Sequence, residues 1–112
     1  MTAVEVVEQA LGELGGCTSG QIANVMINGG HEGYPFSALS CPVSKYLQAK
    51  LGDDEGVCVG PRMASVGPVS ATFETEPEMF YQVTRVILPV SVQAFIQRFD
   101  GGEFPELILH TP

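Results

Sequence analysis

The sequence predicts an α+β fold: three N-terminal helices, a small mostly antiparallel sheet, and a C-terminal helix with a packed tail. Three observations carry this reading. Two capping signatures and a Cys-Pro helix start fall in the first part of the chain, β-branched residues and Gly-Pro turns follow Asp53, and an apolar stripe of helical period follows Pro89.

Thr2-Ala3-Val4-Glu5 reads as a capping box ahead of the stripe Val4, Val7, Leu11 and Leu14, so the first helix is expected from Ala3 to about Leu14. Gly15-Gly16 ends it. Thr18-Ser19-Gly20-Gln21 is a second cap, before Ile22, Val25 and Met26, and Gly29-Gly30 stops that helix. Ser40-Cys41-Pro42 opens a third helix, because proline lacks the amide that a first turn leaves unpaired in any case. Val43, Tyr46, Leu47 and Leu51 form its apolar face, and Gly52 follows.

Beyond Asp53 the strand candidates are Val57 to Val59, the alternating run Val69, Ala71, Phe73, and Tyr81 to Leu88, with Gly60-Pro61 and Gly67-Pro68 as punctuation. Pro89 closes the last of these. Val92, Phe95, Ile96 and Phe99 then stand at i, i+3, i+4 and i+7 of a helix ending at Asp100-Gly101-Gly102, and Phe104 to Leu109 is apolar enough to dock back. The 112 residues, 45% of them hydrophobic, suffice for one core, so residues 1–112 are read as one domain.

The charge restricts the partners. Thirteen acidic against five basic residues give a formal charge of -8, which repels phosphate backbones and anionic lipid surfaces. No apolar run approaches the ~20 residues that span a bilayer, and the first twenty residues lack a basic start. Cys17, Cys41 and Cys58 are odd in number and contain no C-x-x-C pair, which fits free thiols in a reducing compartment. The expected location is the cytoplasm, with neither membrane nor nucleic acid as partner.

Chemistry-bearing residues concentrate between His31 and Gly52. Cys41, at the start of the third helix, lies where unpaired amides favour a thiolate, and His31 ten residues upstream is the base that a thiol enzyme would use. No third orienting group accompanies them, so no catalytic residue is assigned; the bland alternative makes Cys41 a small buried hydrophobe at the helix start. Cys17, His31, Cys41 and Cys58 lack the close ligand pairs of structural zinc sites, so neither a metal nor a cofactor is expected. The first two helices have the lengths of a helix-turn-helix, with Thr18 to Asn28 as the reading helix. That stretch offers Gln21, Asn24 and Asn28 to bases but no Lys or Arg to phosphates.

Two features instead suit a protein partner. Tyr34 and Phe36 stand beside Gly33 and Pro35, and aromatics on a stiffened turn bury much area while losing little rotamer entropy. Glu74, Glu76 and Glu78, around Pro77, can present an acidic face to a basic partner, with Asp53-Asp54-Glu55 as a second acidic run. The expected function is that of a small acidic interaction protein, a regulator or inhibitor that binds another protein, with self-association left open. A thiol enzyme and a helix-turn-helix regulator are the alternatives.

The segments SCPVSKYL (Ser40 to Leu47), VCVGP (Val57 to Pro61) and the run from Leu88-Pro89 through FDGGEFPEL (Phe99 to Leu107) resemble parts of short uncharacterised proteins of actinobacterial genomes and their mobile elements. The resemblance extends over about half the chain. It implies a bacterial or phage origin and brings no activity, cofactor or catalytic residue.

Overall fold

Each of the first two helices begins on a threonine that closes a reciprocal box. In the computed structural model, which describes residues 2–68 and 83–109, the Thr2 hydroxyl accepts from the Glu5 amide at 3.2 Å and the Glu5 carboxylate from the Thr2 amide at 3.1 Å. Thr18 and Gln21 repeat the arrangement at 3.2 and 2.9 Å. These boxes start α1 (Ala3–Gly15) and α2 (Ser19–Gly29), and Gly30 ends α2 in the left-handed region at φ 71°. α3 (Pro42–Gln48) starts on Cys41, whose sulfur accepts from the Ser44 amide at 3.3 Å.

The sheet has three strands in the order β1 (Glu55–Val59), β2 (Met63–Pro68), β3 (Thr84–Ile87), antiparallel throughout. β1 begins two residues earlier than its apolar run suggests, and β3 lies inside the expected Tyr81 to Leu88. The whole of β2 was not anticipated. Its Ala, Ser and Gly have little intrinsic strand preference, and the strand exists because Val66 faces Val57 and Ala64 faces Val59 across the first hairpin. The expected strand at Val69, Ala71 and Phe73 lies outside the described residues.

β1 has its outer edge covered. The Gln48 side chain donates to the Glu55 carbonyl at 2.7 Å and accepts from the Val57 amide at 3.2 Å, standing in for a neighbouring strand, while Ala38 accepts from the Val59 amide at 2.9 Å. The inner face of the sheet meets α1 and α3, and α4 (Val90–Asp100) packs against α1 and α2 with Val92, Phe95, Ile96 and Phe99 all buried, which is the expected stripe. Ser91 ties the start of α4 to the end of α1, donating to the Leu14 and Gly15 carbonyls at 3.3 Å each.

After α4 the chain turns through Gly102 and Phe104 into a 3₁₀ turn at Pro105–Leu107, and Leu107 is buried. Phe104 takes φ 60°, an arrangement explained by its ring, which stacks on Phe95 at 5.3 Å. The tail then pairs with the loop ahead of α3: Gly33 donates to the Leu107 carbonyl at 2.8 Å, and Leu109 donates to the Gly33 carbonyl at 2.9 Å. The result is an α+β fold with the tail packed, and no helix among the described residues is long and apolar enough to cross a membrane.

Candidate functional site

The loop from His31 to Ser40 has little regular structure, yet its backbone is anchored along its length. Gly33 holds the tail, the Tyr34 amide donates to the Ser40 carbonyl at 2.9 Å, and Ser40 donates to the Ser37 hydroxyl at 3.1 Å. A further bond comes from far along the chain. The Phe36 amide donates to Asp100 Oδ1, at the last residue of α4, at 2.8 Å.

That bond fixes Phe36 in the left-handed region at φ 59°, where a bulky L-residue is strained. Phe104 shares this backbone region, but its ring belongs to the core. The Phe36 ring is 83% exposed. No packing of the ring accounts for the conformation.

Phe36 lines a groove of about 800 Å³ between this loop, the β1–β2 turn and α4. Val59, Pro61 and Ile96 give it apolar walls, Cys41 lies in its lining, and Arg62 and Asp100 are the charged residues among its described lining. The sequence pointed to Phe36 but not to Arg62, Asp100 or the α4 wall. One signal was present: Gln93 and Gln97 stand one helical turn apart beside the apolar stripe, and both line the groove. Gln93 also donates to the Leu88 carbonyl at 2.8 Å. Tyr34 is 39% exposed and lies outside the lining, and Glu74, Glu76 and Glu78 fall outside the described residues.

Cys41 is buried, and its thiol serves the helix start. Burial pushes its pKa up, more than the bonds from Ser44 and the Val43 amide pull it down, and the nearby Asp100 charge raises it further. Desolvation thus outweighs the helix-start effect that favours a thiolate. His31 faces another group: its ring meets Tyr46 edge to face at 5.6 Å, and Lys50 Nζ sits 4.7 Å from the centre of the Tyr46 ring. No hydrogen bond joins His31 to Cys41. Cys17 donates its thiol to the Glu13 carbonyl at 3.7 Å, and burial raises the pKa of Cys58. Among the described residues no cluster of three or more His, Cys, Asp or Glu side chains can hold a metal ion. On α2, Gln21, Asn24 and Asn28 are exposed, as a reading helix would require, but without a cation beside them on that helix.

Partial burial and the neighbouring Lys50 and Lys45 charges hold the His31 pKa below its ordinary 6.5. The folded state therefore favours the neutral ring, so protonation favours unfolding. Stability from this source is complete above 6.5 and declines as the pH falls through that value to the lowered one. Thermal melts between neutral pH and pH about 5 are expected to show a loss that His31→Gln reduces. Glu5 acts in a lower window, because the Thr2 bonds hold its pKa below 4.5. An acid-induced loss in the upper window that is identical in His31→Gln would assign it to another group.

No protein-family model matches this chain, and no curated protein or solved structure is significantly similar to it.

Proposed function

We propose that this chain is a small acidic cytoplasmic protein that binds another protein and regulates or inhibits it through that contact, with Phe36 and the groove beside it as the recognition surface. One observation carries the reading. Phe36 is a bulky residue in the left-handed region, at a cost on the order of 1–2 kcal/mol, and its ring is left 83% exposed. The bond to Asp100, 64 positions away, holds it there. Pre-setting an aromatic side chain in this way removes the ordering cost at the moment of binding, and such anchors contribute much of the affinity of protein interfaces. The charge of -8 adds long-range steering toward a basic partner.

The test compares Phe36→Ala and Tyr34→Ala with the parent in affinity capture from the native lysate. Phe36→Ala is expected to keep the melting temperature and lose the captured protein, since the ring contributes little to the core. If it melts lower and captures equally well, the ring is structural and the assignment fails. Tyr34 is the gradation within the loop: it is less exposed and outside the groove, so its effect on capture is expected to be smaller.

A further inference from the structure

We propose that the groove beside Phe36 also receives a second copy of this chain, each copy placing its Phe36 ring in the groove of the other around a two-fold axis. This deepens the reading of the same surface and rests on it. A two-fold contact uses one patch twice, so that patch must carry both a projection and the recess that fits it. Phe36 and the groove provide the two side by side: a largely exposed aromatic residue in the lining, and apolar walls from Val59, Pro61 and Ile96.

The charges on the same rim have the required duality. Arg62 is exposed and pairs with no carboxylate among the described residues. Asp100 pairs with no cation there and uses Oδ1 to hold the Phe36 amide. The one ion pair of the described residues, Arg98 with Glu103 at 3.5 Å, takes neither. Across a two-fold axis Arg62 of each copy faces the patch that carries Asp100 of the other, and each cation gains an anion that the described residues of its own chain do not supply. Among the described residues the groove lining sums to zero charge, one cation in Arg62 and one anion in Asp100. A contact built on one ring and one groove per copy is a transient interface in character, and the dimer is therefore concentration-dependent.

Sedimentation velocity over a wide concentration range tests this, on the parent and on Phe36→Ala, Arg62→Glu and Arg62→Lys. The parent is expected to shift from monomer to dimer as concentration rises. Phe36→Ala and Arg62→Glu are expected to weaken that dimer by about tenfold or more with an unchanged melting temperature, while Arg62→Lys retains most of it. A parent that stays monomeric throughout overturns the inference, as does a dimer indifferent to both Phe36→Ala and Arg62→Glu. The broader reading is judged separately by capture: a monomeric parent whose Phe36 is still needed to capture a different protein sinks the self-association alone. If neither measurement depends on Phe36, both fail.

Discussion

Phe95→Ala is expected to remove about 3–5 kcal/mol of folding stability. The side chain is fully buried on α4, with its ring stacked on Phe99 at 6.2 Å and on Phe104 at 5.3 Å. Truncation would leave a void between two rings that cannot both collapse into it. Phe99 is fixed on the same helix, and Phe104 sits on a left-handed backbone whose carbonyl accepts from the Leu107 amide at 2.9 Å. Domains of this size are stable by about 5–15 kcal/mol in total, so the variant should unfold at a far lower urea concentration with a similar slope. Val90→Ala on the same helix is the control. Val90 is 82% exposed, and its replacement is expected to change stability by no more than about 0.5 kcal/mol. Equal urea midpoints for Phe95→Ala and the parent would mean that the ring cluster does not stabilise the fold.

Gly33→Ala is expected to be the most damaging single-methyl change in the loop. A β-carbon there would run into the Ser40 carbonyl oxygen and lie 2.9 Å from the carbonyl carbon of Cys41. Both are backbone atoms at the start of α3, with no rotamer to move aside. Relief requires the loop to lift, which breaks the bonds from Gly33 to Leu107 and from Leu109 to Gly33. Strain of this kind costs roughly 1–3 kcal/mol or more, and limited proteolysis should cut the tail sooner. Gly52→Ala serves as comparison, because a β-carbon there meets nothing within 4 Å. A Gly33→Ala protein that melts and resists protease like the parent would show that the loop can shift without cost.

What could be read from the sequence was what is decided locally. Thr2 with Glu5 and Thr18 with Gln21 form their boxes within four residues, and the Val92, Phe95, Ile96, Phe99 stripe follows from helical geometry alone. β2 escaped because its order comes from its neighbours: Met63–Pro68 becomes a strand by pairing with β1 and β3. Gly33 was readable as a turn residue, but the requirement it meets is space rather than a left-handed backbone, which Gly30 supplies instead. At the site, Phe36 was visible as an aromatic beside glycine and proline. Its bond to Asp100 was not, since nothing in a periodicity joins residues 64 positions apart.

The anchoring of the loop also sets an order of events during synthesis. Among the described residues, the long-range hydrogen bonds that hold Gly33 and Phe36 come from Asp100, Leu107 and Leu109, all much later in the chain. A ribosome-bound chain that has reached β1 can already have capped its first two helices, because those boxes close within a few residues. Phe36 stays without its anchor until α4 has left the exit tunnel, so the loop from His31 to Ser40 is pinned only after all three strands have been made.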